Sequence, residues 1–149
     1  MDLIREDFIV ADLRARRRAD VIRELGSFLA KHHAGLSEKE AIRALAERER
    51  LGSTAVGEGL AIPHAKLDSV RDLVACFGRS RRGIDFGSPD DEPTHFFFVL
   101  IAPEGAPGDH LKALARISRL FRNAAFRARL MAAETAREMH ELIAAEDGR

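Results

Sequence analysis

Apolar residues recur at helical spacing in four stretches of this chain and run almost unbroken in a fifth. Residues 16–33 place Val21, Leu25, Phe28 and Leu29 on one face, which predicts an amphipathic helix. Ala34-Gly35 ends it, since glycine readily takes the left-handed conformation that closes a helix. Ser37-Glu-Lys-Glu40 reads as a capping box, in which hydroxyl and carboxylate each satisfy a free amide at a helix start. The helix it opens carries Ala41, Ile42, Leu45 and Ala46 and is predicted to end near Leu51-Gly52. Residues 109–122 form a third helix, with Leu111, Leu114, Ile117, Ser118 and Phe121 facing inward. A second box, Thr135-Ala-Arg-Glu138, opens a last helix carrying Met139, Leu142 and Ile143.

The other segments read as strands and turns. Residues 8–13 predict a short strand and residues 73–78 another. The run THFFFVLIA at 94–102 is nearly all apolar, as a strand covered on both faces is. Residues 53–66, with Gly57, Gly59 and Pro63, show no helical period and predict turns with short extended pieces. Residues 83–93 are turn-rich and residues 103–108 form a loop. This order of elements predicts an α/β fold: one domain over 1–149, with a mixed parallel and antiparallel sheet covered by helices.

Composition narrows the function classes. The chain has 24 Lys plus Arg against 24 Asp plus Glu, so its formal net charge is zero and points neither to nucleic acid nor to an acidic membrane. One cysteine, Cys76, excludes an internal disulfide and suits a reducing compartment. The opening MDLIREDFIV lacks the basic and apolar regions of a signal peptide, and the apolar run near residue 96 is far too short to cross a bilayer. A cytoplasmic protein is the expectation.

Six histidines are the candidate chemistry. His64 stands in Gly57-Glu-Gly-Leu-Ala-Ile-Pro-His64-Ala-Lys66, where Pro63 fixes its own φ and holds Ile62 extended. Such a stiff setting presents an imidazole at a defined place, and a neutral imidazole nitrogen is a nucleophile near neutral pH. Local composition leaves that reading and an ordinary exposed loop histidine both open. His110 opens a helix, whose free amides suit an anion; it gains interest only if it meets His64 in space. Arg48, with Ser53 and Thr54 after it, offers a guanidinium fork and two hydroxyls to phosphate oxygens, against the alternative of a solvated helix end. His32-His33, His95, His140, the arginines at 14, 16, 17 and 18, and Cys76 read as structural or solvated.

Taken together, ERERLGSTAVGEGLAIPHAK at 47–66 resembles the enzyme IIA domains of the fructose–mannitol class of the bacterial phosphoenolpyruvate-dependent phosphotransferase system, most of all the nitrogen-regulatory branch. Gly83-Ile-Asp-Phe86, the strand running into Ala102-Pro103-Glu104 and His110-Leu-Lys-Ala-Leu fit as well. Ala65 departs from a frequent glycine, and 89–93 is more acidic than the pattern. The resemblance implies the mannitol-type fold, with a sheet between helices on both faces. It implies His64 as phosphoryl acceptor, His110 as its partner at the phosphate site, and Arg48, Ser53 and Thr54 as phosphate ligands. It also implies a histidine-containing phosphocarrier as donor, and either regulated target proteins or a IIB domain downstream, with no cofactor, metal or nucleic acid. Leu60, Ile62 and Leu67 are then candidates for an apolar docking rim, and Asp109 for orienting His110. A binding module without phosphorylation, or a metal site at His64 and His110, would be the competing classes; the absence of dense ligand spacing weighs against metal.

Overall fold

The computed structural model describes residues 3–105 and 107–149, so residue 106 of the predicted loop and residues 1 and 2 of the opening segment lie outside the described residues. Six strands and five helices follow one another along it, five of the strands in one run between the second helix and the last three. After a single 3-10 turn at Glu6–Phe8 come β1 (Ile9–Val10), α1 (Arg18–His32), α2 (Glu38–Arg50), β2 (Ala55–Gly57), β3 (Leu60–Ala61) and β4 (His64–Leu67). Then follow β5 (Val74–Ile84), β6 (Thr94–Pro103), α3 (Pro107–Leu120), α4 (Ala124–Ala132) and α5 (Ala136–Asp147).

The sheet runs β1-β5-β6-β3-β2, with β4 also on β6. β5 and β6 are antiparallel, while β1 on β5 and both β3 and β4 on β6 are parallel, so the sheet is mixed as predicted. Helices cover both faces. Gly78 and Cys76 of β5 meet Leu25 of α1 on one side. Phe77 of β5 stacks on Phe121, just beyond α3, on the other, and Phe96 of β6 packs against the same ring at a tilt. β6 is consequently buried along nearly its whole length, which is why its sequence shows no alternation. α1 and α2 approach closely at Gly26: a Cβ there would lie 2.8 Å from Cγ1 of Ile42.

The hydroxyl half of each predicted capping box is present, while the carboxylates of Glu40 and Glu138 accept from Ser69 Oγ and Glu134 N instead. Ser37 Oγ accepts from Glu40 N at 3.3 Å, and Thr135 Oγ1 from Glu138 N at 3.1 Å. Four boundaries are corrected. The first strand is only Ile9–Val10, because the chain bends after it and brings Asp12 to Arg79 and Arg81, each at 3.0 Å; Leu13 N then regains β5 at Arg79 O, 2.8 Å. β5 runs on to Ile84 through the polar segment that holds Arg79 and Ser80, both buried. α3 begins at Pro107 rather than 109, and Leu111 on it is exposed rather than inward. α4 had no sequence prediction: Asn123 caps it, its Oδ1 accepting from Ala125 N and Phe126 N at 3.0 and 3.3 Å.

Candidate phosphoryl-transfer site

The glycines around Glu58 have a definite task. Glu58 and Gly59 have φ of 58° and 75°, the two positive values that a tight hairpin of type I′ needs, and they turn β2 into β3. β3 then continues into β4 along β6 in a single register: Leu60 faces Phe96, Ala61 faces Phe97 and His64 faces Leu100. The ladder lapses between them at Pro63, which has no amide to donate, although its carbonyl still accepts from Leu100 N at 3.0 Å. Ile62 turns its amide the other way, to Thr54 O at 3.0 Å. Its carbonyl accepts from His64 Nδ1 at 2.7 Å. The predicted loop histidine is therefore the first residue of a strand, held in place by the proline-induced gap before it.

That hydrogen bond fixes the ring. A carbonyl only accepts, so Nδ1 keeps its proton and the lone pair of the neutral ring lies on Nε2. Burial lowers the His64 pKa below its ordinary value; the Ile62 bond and the Glu49 carboxylate oppose that, while Arg48 and Lys66 reinforce it. The balance favours the neutral ring.

His110, near the start of α3, meets His64 with ring centroids 5.0 Å apart and planes at 57°. Its residue is buried, and its pKa is lowered by burial, by His64 and by Lys66. His110 Nδ1 is buried with no hydrogen-bond partner, so Asp109 does not orient this ring through it. Arg48, on the last turn of α2, spends one Nη donor on Gly52 O at 2.9 Å. The Ser53 hydroxyl donates to Phe86 O and itself accepts from Ala55 N at 3.0 Å. Thr54 is buried and gives both its amide and its hydroxyl to Glu49, at 2.8 and 2.6 Å.

Two residues here escaped the sequence reading. Glu49 is buried at the end of a helix and pins the segment between Arg48 and Thr54; its signal was a carboxylate four residues after the inward-facing Leu45. Lys66 lies two positions after His64 on β4, hence on the same face, and acts on both histidines. The supposed docking rim is also corrected: Leu60, Ile62 and Leu67 are all buried, because strands beside β6 turn these side chains into the core. Among the described residues the exposed large hydrophobic side chains are instead Leu51 (85%), Leu111 (64%) and Val56 (52%). Leu51 follows the Arg48 turn, and Leu111 follows His110. Of the remaining histidines, His32, His95 and His140 each bond a backbone carbonyl, as structural residues do. Among the described residues no group of His, Cys, Asp and Glu is arranged to hold a metal ion, and no helix is long and apolar enough to cross a membrane.

Residues 2–146 match the family described as phosphoenolpyruvate-dependent sugar phosphotransferase system, EIIA 2. The chain belongs to that family. A nitrogen regulatory protein from Bradyrhizobium diazoefficiens is 40% identical over 143 residues, 96% of this chain and 93% of that one. The fructose-specific EIIABC component of Bacillus subtilis is 37% identical over 148 residues; the match takes in 98% of this chain but 23% of that longer protein. Among solved structures, nitrogen regulatory protein IIA-Ntr from Neisseria meningitidis superposes with a TM-score of 0.88 at 31% identity, covering 95% of this chain and 96% of that one. IIA mannitol from Escherichia coli, at 22% identity and TM-score 0.81 over 94% and 98% of the two chains, shares the fold. The family predicted from 47–66 and the mannitol-type fold are thus both found.

Proposed function

We propose that this EIIA domain accepts a phosphoryl group on His64 Nε2 from a phosphohistidine of a small carrier protein, and that it serves as a regulator of the nitrogen-regulatory type. The observation that carries this is the Nδ1 bond to Ile62, which leaves Nε2 as the free nucleophilic nitrogen beside a second buried histidine. In the transfer, the Nε2 lone pair forms a bond to phosphorus as the donor's phosphorus–nitrogen bond breaks. The electron pair returns to the donor imidazole, and Nδ1 keeps its proton on Ile62 O throughout. The reaction needs no metal, since the donor is already labile and charge on the equatorial oxygens meets donors that are in place.

Those donors are the Arg48 guanidinium, the ring of His110 and the ammonium of Lys66. Ser53 and Thr54 are further donors that are not yet aimed at the site. Each must turn its hydroxyl proton away from its present acceptor to reach a phosphoryl oxygen. Glu49 positions Thr54 and so fixes the loop that follows Arg48. Leu51 and Leu111 supply the apolar contacts for the docked carrier. The nearness in sequence to nitrogen regulatory proteins supports regulation through the phosphorylation state. A second reading, transfer onward to a IIB component of a sugar permease, draws on the likeness to the fructose-specific protein.

Incubation with phosphoenolpyruvate, enzyme I and carrier protein, read by intact mass, tests the acceptor. One added phosphoryl group is expected on the wild type and none on His64→Ala. Addition of a purified IIB domain then separates the two readings, since rapid loss of the group to IIB favours the permease role.

A further inference from the structure

A groove of about 840 Å³ lies between the start of the sheet and α1, away from His64. One wall is β1 with the segment after it, including Ile9, Val10 and Ala15. The other is a single stripe of α1: Asp20, Glu24, Ser27, Phe28 and Lys31, at the spacing that puts residues on one helix face. β1 pairs only with β5 and is the outermost strand on its side, whereas His64 is on β4, across β5 and β6. The groove therefore runs along an open sheet edge and is remote from the phosphoryl-transfer site.

Its charges are lopsided. The groove's acids are already engaged: Asp20 pairs with Arg23 at 3.4 Å, and Glu24 accepts from the amides of Arg14 and Ala15 at 3.0 and 2.9 Å. Those bonds also fasten the strand-following segment against α1, so the groove is preformed. Its cations Arg14, Arg16, Arg17 and Lys31 are exposed, and none has a carboxylate within ion-pair distance among the described residues. The balanced net charge of the whole chain conceals this local excess. Arg17 precedes α1 without a side-chain cap, which adds open amides at the same end.

We infer that this groove binds an acidic, extended segment of a partner protein, which adds to the free edge of β1 and pairs its carboxylates with Arg14, Arg16, Arg17 and Lys31. An open strand edge supplies main-chain donors and acceptors to an extended peptide. The half-buried Val10 and Phe28 receive apolar side chains of the segment, and the arginines select acidic ones. Because the two sites lie on opposite edges of the sheet, such a partner and a carrier protein can be bound together.

The test uses the full chain and a fluorescein-labelled peptide alternating glutamate and valine, followed by anisotropy and by amide shifts. Binding that weakens with salt is expected, with shifts centred on Ile9, Val10 and α1. About a tenfold loss or more is expected in the combined Arg14→Glu, Arg16→Glu, Arg17→Glu protein. A peptide methylated on alternate backbone amides, tested on the unaltered chain, is expected not to bind. The inference is overturned by absent binding, by equal binding of a lysine–valine peptide or of the methylated one, by shifts centred on His64, or by tighter binding of a single-stranded RNA of the same charge.

Discussion

Arg79 and His64 both carry nitrogen into the interior from neighbouring parts of one sheet, and the surroundings treat the two in opposite ways. Arg79 is fully buried in β5, and its Nη atoms are spent: they donate to the carbonyls of Leu130 and Met131 at 3.0 and 3.2 Å, to Ala133 O, and to Asp12 at 3.0 Å. Its Nε alone is left over. It closes the carbonyl end of α4 and ties that helix to the sheet. At His64 only Nδ1 is spent; Nε2 is unoccupied, and the adjoining His110 has a buried Nδ1 with no partner. A polar cluster that satisfies itself is structure, and one that keeps an unbonded ring nitrogen beside a second ring without a partner is open to a ligand.

The sharpest way to break that contrast is at Arg79. Arg79→Met orphans buried carbonyls at the end of α4 and is expected to cost about 3–5 kcal/mol, read as a fall in the denaturant midpoint. His64→Ala is expected to cost far less while removing phosphoryl acceptance; equal losses from the two would erase the distinction. Glu49 lies between the extremes, since its carboxylate is structural but its cargo is the loop beside Arg48. Glu49→Ala strips two hydrogen bonds from Thr54 and is expected to cost about 2 kcal/mol. It should also slow phosphoryl acceptance without changing which residue is modified. Wild-type kinetics at unaltered stability would show that Glu49 positions nothing.

The smallest effect is on pH. Both histidines have folded pKa values below the ordinary 6.5, so the unfolded chain binds protons more readily than the folded one. The stability they contribute is complete above 6.5 and is lost as pH falls through the lowered folded values. The wild type should therefore lose stability across that window more steeply than a His64→Asn, His110→Asn double variant. Parallel curves would mean that the two rings are not held neutral.

This contrast explains what could be read from the sequence. The hydroxyl caps at Ser37 and Thr135 and the apolar run of β6 are local signals, set by a few neighbouring residues, and the structure has them; the Pro63-His64 pair is as local a signal. Arg79 could not be found that way: it lies in the polar run Arg79-Ser-Arg-Arg82, and its burial depends on carbonyls 51 to 54 positions further on. The same limit hid the neighbours of the site. Leu60, Ile62 and Leu67 are as apolar as Leu51 and Leu111, and only the pairing with β6 decides which set is buried. α4 lacked a clear apolar stripe, with Phe126 and Leu130 as its buried residues, so its cap Asn123 was its main local sign. The meeting of His64 with His110 likewise depended on the sheet, since strand and helix positions permitted it without requiring it.

Phosphoryl acceptance at this site depends on which nitrogen of His64 is free. Nitrogen-15 NMR of the histidine rings, recorded before and after phosphorylation by the carrier protein, addresses this directly. The phosphoryl group should appear on Nε2 of His64, with Nδ1 still protonated and bonded to Ile62 O. A phosphoryl group on Nδ1, or on any residue other than His64, would contradict it.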